Sequence, residues 1–212
     1  MQFKSKWVKS DSVLDNENSY TSVKYSIPIK PRIDTVMNRI DSQISKLEIF
    51  LNNLKSKYDE ILQKVISSVQ EKNNTRYYGL YLSDLVQTRK VTKAIRLSKI
   101  VFENLKFKLS RISDVAGLVS ALSPVVVIVK NIRCSLVPYI PESQEEIGVI
   151  SELLGGILLD AAQIGSYVIN FNSANKEAVY MINEASLVAE QKVKEEFPDL
   201  PEHMIISSKG LF

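Results

Sequence analysis

The sequence holds one cysteine, Cys134, and one histidine, His203, in 212 residues. A lone cysteine excludes an internal disulfide and a cysteine-built zinc or iron–sulfur site, and a lone histidine leaves little for other transition metals. The same scarcity removes the side chains that most often serve as acid, base or nucleophile. The chain therefore reads as a non-enzyme with no metal site and no cofactor. Seven glycines are too few for a turn-rich β architecture, so an all-α fold is expected. Long apolar runs are also missing. The longest uncharged stretch, residues 115–129, contains Ser120, Ser123 and Pro124 and falls short of the roughly 20 apolar residues of a membrane span, so a buried segment is expected there. The first ten residues run into a polar stretch without the apolar core of a signal peptide, which points to a cytoplasmic, reducing setting.

What is present is an uneven charge. Residues 1–76 hold 13 Lys/Arg against 9 Asp/Glu, residues 77–113 hold 8 against 2, and residues 114–212 hold 6 against 13. A basic half and an acidic half call either for an anionic partner or for folding of one half onto the other.

From Ile33 the apolar positions recur as Ile33, Met37, Ile40, Ile44, Leu47, Leu51, Leu54, Tyr58, Ile61 and Val65, the seam of a coiled coil. Neither glycine nor proline interrupts residues 33–75, which predicts a rod roughly 60 Å long. Lys72, Asn73, Asn74 and Thr75 mark a turn, and so short a connection implies an antiparallel neighbour. The second run carries Val91, Ile95, Ser98, Phe102, Leu105, Leu109 and Ile112, with Asp84 and Thr88 wetting its earlier seam. Its outer face bears Arg89, Lys90, Lys93, Arg96, Lys99, Lys106, Lys108 and Arg111, opposed in that stretch by Glu103 alone. Such a stripe is either a solvated face or a surface for lipid headgroups or phosphates, worth roughly 1 kcal/mol per cation near an acidic membrane. No zinc finger, aromatic RNA-binding signature or recognition helix accompanies it, so no specific nucleic-acid partner is expected.

Pro124, Pro138 and Pro141 then predict a division into short helices. The next helix is apolar nearly all round and contains Gly155 and Gly156, read as a site of close packing because no Lys and Ser/Thr follow them as in a phosphate loop. A polar helix with Val179, Ile182, Leu187 and Val193 follows and ends near Glu196. Beyond it, Phe197, Pro198, Asp199, Leu200 and Pro201 form either a proline-stopped helix end or an extended segment preorganised to dock in a groove. At the other end of the chain, Phe3 and Trp7 lie one turn apart among Lys4, Lys6 and Lys9. That pattern suits a short amphipathic membrane anchor or a plain tail.

This order of features resembles the ESCRT-III superfamily, in particular the archaeal cell-division CdvB proteins. The resemblance covers about residues 31–171, most closely ISDVAGLVSALSPVVVIVKNIRCSLVPYIPESQEEIGVISELLGGILLDAAQ. It implies a subunit that polymerises with itself and with paralogues on anionic membrane lipids, constricts membrane in division or vesicle release, and is removed by an AAA ATPase. Phe197, Pro198, Leu200 and Pro201 are similar to the start of a proline-containing motif that docks on the ATPase's MIT domain, although Glu202, His203 and Met204 follow where a third proline would stand. Too few residues follow Pro201 for a winged-helix segment, so the likeness is to the shorter paralogues.

The resulting expectation has three parts. Residues 1–30 are a membrane-anchor candidate and tether. Residues 31–171 are an ESCRT-III-like core, with a hairpin at 31–113 and short helices at 114–171. Residues 172–212 are an acidic helix and an ATPase-docking tail. The protein would sit in the cytoplasm, peripheral on the inner face of the plasma membrane at the division site. A rival from another class is a coiled-coil adaptor or nucleoid-associated protein that uses the same stripe on DNA.

Overall fold

A computed structural model describes residues 28–70 and 75–198. Among them lie five helices and no strand: α1 (Ile29–Gln70), α2 (Thr75–Ser110), α3 (Val115–Leu136), α4 (Ser143–Gly165) and α5 (Phe171–Glu196). The all-α expectation holds. Helix α1 begins four residues earlier than the seam at Ile33, because Pro31 sits in the first turn, where a missing N–H has no helical partner to lose.

The chain forms two compact units. The first takes α1 up to Ser42, α2 from Asn104, all of α3 and α4, and α5 up to Val179. The second takes α1 from Gln43, α2 up to Glu103, and α5 from Tyr180. In the first, Lys106 Nζ lies 2.7 Å from Asp41 Oδ1, and in the second Lys99 pairs with Glu48. Within the second unit Glu48 meets Lys99, and Tyr58, ten residues on, lies near Arg89, ten residues back, as an antiparallel hairpin requires. The all-helical hairpin followed by shorter helices is ESCRT-III-like.

The seam itself is shifted in two places. Ile33, Ile40, Leu47, Leu51, Tyr58, Ile61 and Val65 are buried as expected, but Val36 and Gln43 are buried where Met37 and Ile44 were read, and those two are only half-covered. A seam spaced three then four and one spaced four then three differ by a single position; Val36 and Met37 are both apolar, whereas at the second shift the polar Gln43 is buried in place of Ile44. On α2 the exposed Asp84 gives way to the buried Leu85, and half-covered Val91 to the buried Thr92, while Thr88 is buried as read.

Pro124 does not divide the chain. It lies inside α3, which runs unbroken for 22 residues, and is buried, as are Leu122, Val125 and Ile128. Ser123 Oγ meanwhile donates to the Val119 carbonyl at 2.6 Å. Asp114 caps the helix, accepting from the Gly117 N–H at 2.6 Å. Pro138 and Pro141 do fall in the connection to α4. Helices α3 and α4 pack on each other, and both are long and apolar enough to cross a membrane by length and composition, with 56% and 44% of those windows buried inside the fold.

The paired glycines of α4 also differ from their reading. A side chain at Gly155 would meet nothing within 4 Å, while a Cβ at Gly156 would stand 2.9 Å from Arg32 Nη2. No helix backbone approaches here; Gly156 leaves room for the Arg32 guanidinium to reach Asp160. Helix α4 ends with Ser166 in the left-handed region, φ 53°, and the Tyr167 N–H returning to the Ala162 carbonyl at 2.9 Å.

Candidate functional site

Phe3, Lys4, Lys6, Trp7 and Lys9 lie outside the described residues, as do Leu200 and Pro201. The α2 cations and the start of the tail segment are described.

The stripe of α2 is tied to carboxylates, and most of the partners come from other helices. In the first unit Lys108 Nζ lies 2.8 Å from Glu177 of α5, and Lys106 pairs with Asp41 of α1. In the second, Lys93 Nζ lies 2.9 Å from Glu190 of α5, Arg96 pairs with Glu196 at the last residue of α5, and Lys99 pairs with Glu48 of α1 and, at 3.5 Å, with Glu103. Arg96 is 9% exposed, so its charge is held away from water, with Glu196 as counter-charge. Burial of Lys99 works against its charge, but the pairing with Glu48 and Glu103 wins and raises its pKa. Glu190 is held below the usual carboxylate range, first by the hydrogen bond from Lys93 and then by that from Lys194. Lys90 and Arg111 stay exposed, the latter with its guanidinium 4.3 Å over the ring of the exposed Phe107. Lys108, Arg111 and Phe107 also line a groove of about 500 Å³ with Asp114 and Glu177. Arg89 is half-covered and lies close enough to Tyr58 to influence its hydroxyl.

The tail segment starts inside the core. Helix α5 packs its small residues inward: Ala185, Ala189 and Val193 are buried at a spacing of four, and Phe197 continues that ridge with no exposed surface. The Phe197 N–H still reaches the Val193 carbonyl at 2.8 Å, so the residue prolongs the helix before Pro198 stops it. Its ring meets Tyr58 edge-on, centroids 5.0 Å apart and planes at 82°, within a cluster of Tyr58, Ile61, Val65, Tyr78, Leu85 and Val193. The Tyr58 hydroxyl donates to the Pro198 carbonyl at 2.6 Å. Burial raises the pKa of that hydroxyl, partly offset by Arg89 and reinforced by Asp59, so it remains a donor at neutral pH.

Three features escaped the sequence reading. The inner face of α5 is Ala174, Ala178, Ala185 and Ala189, while Val179 and Leu187, taken from hydropathy as its apolar positions, are 56% and 72% exposed. Tyr58 was legible as a seam residue but not as the ring that packs against Phe197. The carboxylates of α5 were legible as an excess of charge, not as partners of particular lysines. Among the described residues no group of three or more His, Cys, Asp or Glu could hold a metal ion.

The chain is 28% identical over 174 residues to cell division protein B1 of Sulfolobus acidocaldarius, covering 82% of this chain and 81% of that protein. It is 22% identical over 178 residues to cell division protein B of the same organism, covering 84% of this chain and 68% of that one. The chain is CdvB-like. No family model matches, and no solved structure matches. Archaeal cell division is the role that the CdvB relatives support for this chain, and with the all-helical fold they point to a structural protein rather than an enzyme.

Proposed function

We propose that this CdvB-like chain is a filament subunit that assembles, with itself and with paralogues, on the anionic inner face of the archaeal plasma membrane during division or vesicle release. In this reading the conformation described above is the closed subunit. Carboxylates of α5 occupy cations of the α2 stripe, and release of α5 frees the stripe for lipid and the hairpin for neighbouring subunits. The observation that carries the reading is the pairing of Lys108, Lys93 and Arg96 with Glu177, Glu190 and Glu196. An acidic helix laid on a basic one neutralises in the monomer the charge that a membrane would otherwise attract. Residues 1–10 would add an interfacial anchor through Phe3 and Trp7. The tail beginning at Phe197 would dock on the MIT domain of an AAA ATPase that extracts subunits.

Co-sedimentation with vesicles tests the lipid step. The chain should pellet with vesicles rich in anionic lipid, less so as salt rises, and not with neutral ones. Salt-sensitive binding to duplex DNA without lipid preference, with a discrete dimer, would move the assignment to a nucleoid-associated protein.

A further inference from the structure

The connection between α4 and α5, residues 166–170, lies wholly within the first unit and exposes apolar side chains. Val168 is 92% exposed, and Tyr167 and Phe171 beside it are exposed as well. Both ends of the connection are pinned. Ser166 closes α4 in the left-handed region, with the Tyr167 N–H returned to the Ala162 carbonyl, and Asn170 opens α5 by accepting from the Ser173 N–H at 3.1 Å. The Tyr167 ring lies over Gly165, where it leaves no room for a Cβ. Val168 is therefore presented by a fixed turn. No residue between Asp160 and Lys176 is charged, so nothing in this stretch opposes an apolar surrounding.

Tyr167 and Val168 line a cleft of about 260 Å³ with α3, and this cleft shares two walls, Ser120 and Glu177, with the groove of Phe107, Lys108 and Arg111. The apolar turn and the basic end of α2 thus border one another. Arg111 and Lys176 are exposed there, while the neighbouring carboxylates are engaged, Glu177 with Lys108 and Asp114 with the first turn of α3. Exposed apolar groups gathered on a domain surface mark an interaction site. Valine and aromatic rings flanked by cations suit a bilayer surface, where the rings and the aliphatic groups pass below the headgroups and the cations stay among them. A second copy of the chain is the poorer occupant, because five residues fall far short of the roughly 800 Å² that each partner of a stable interface buries. We infer that the α4–α5 connection enters the membrane interface with Val168 at its tip, while Arg111 and Lys176 meet anionic headgroups. The inference rests on the lipid binding proposed above and gives it a surface of the first unit, separate from residues 1–10.

The test places an environment-sensitive nitrobenzoxadiazole label at position 168 of the full chain, through Val168→Cys in a Cys134→Ser background; both side chains are exposed, so neither change disturbs the core. The probe is a vesicle of phosphatidylglycerol and phosphatidylcholine in equal amounts. Insertion predicts that vesicles brighten the label and shift its emission to the blue, and that nitroxides carried on the lipid acyl chains quench it. Val168→Asp should keep the thermal midpoint of the parent and weaken binding to the same vesicles about tenfold, the factor carried by burial of one valine. A chain that pellets with the vesicles while the label stays unchanged, or a Val168→Asp variant that binds as tightly as the parent, overturns the inference and leaves lipid binding standing. A chain that does not pellet overturns both. Brightening without vesicles as the protein is concentrated, or brightening that the nitroxides do not quench, assigns the turn to contact between copies and overturns the inference.

Discussion

The hydroxyl of Tyr58, at the middle of the second half of α1, donates to the carbonyl of Pro198, 140 residues later and one residue past the end of the buried ridge of α5. A contact of that sequence separation ties the end of α5 to α1. Its energetic weight rests on Phe197, whose whole side chain is removed from water. Phe197→Ala should lower the unfolding free energy by about 3 kcal/mol, against about 1 kcal/mol for Tyr58→Phe, read from the midpoint of urea denaturation. An Ala variant as stable as the parent would show that the ring is not packed.

Gln43 is 1% exposed, and neither its amide nitrogen nor its oxygen has a hydrogen-bond partner. A buried amide without partners opposes folding, and leucine has similar volume without the desolvation cost. Gln43→Leu should therefore raise stability by about 1 kcal/mol in the same denaturation experiment. A loss of stability would mean that the amide is satisfied in solution.

The two glycines of α4 separate helix propensity from contact. Gly155→Ala adds a methyl group where nothing lies within 4 Å, and should stabilise by up to about 1 kcal/mol. Gly156→Ala gains the same propensity but pushes a Cβ against Arg32, whose guanidinium must shift from Asp160. It should gain distinctly less, and thermal melts of the two variants side by side decide the point.

Glu190 gives a pH signature. Its folded pKa is depressed by Lys93 and Lys194, so the contribution is present above the unfolded carboxylate pKa and is lost as pH falls through the lower folded value. Denaturation midpoints measured from pH 6 down to pH 3 should fall less steeply in Glu190→Gln than in the parent. Parallel profiles would mean that the Lys93 contact contributes nothing in solution.

These expectations also mark how far the sequence could be read. The hairpin was legible because Ile33, Ile40, Leu47, Tyr58, Ile61 and Val65 repeat at coiled-coil spacing with no glycine or proline between them. The choice of Val36 over Met37, and of Gln43 over Ile44, was not, since it depends on which flank meets the neighbouring helix. Helix α5 misled because alanine carries little hydropathy, yet four alanines form its inner face and leave Leu187 outside. The eight α2 cations were visible as a stripe, but the carboxylates that meet them come from positions as far away as Asp41 and Glu196, which only the fold brings near. Residues 197–201 were read as either a proline-stopped helix end or an extended docking segment, and nothing local announces that a ridge of spacing four carries Phe197 into the core.

The closed-subunit account makes a further charge prediction. Glu177→Gln with Glu190→Gln releases Lys108 and Lys93 while leaving the Arg96–Glu196 pair intact. Binding to anionic vesicles at low salt should tighten about thirtyfold, at roughly 1 kcal/mol for each of the two cations regained by the surface. Unchanged binding would show that these lysines do not meet lipid.

The central claim is assembly on membrane, and negative-stain microscopy of the purified chain with anionic vesicles tests it most directly, with and without residues 1–10. Filaments or coated tubules on the acidic vesicles are the predicted result, and their loss on truncation would place the anchor at Phe3 and Trp7. A discrete soluble oligomer under every lipid and salt condition would contradict the account.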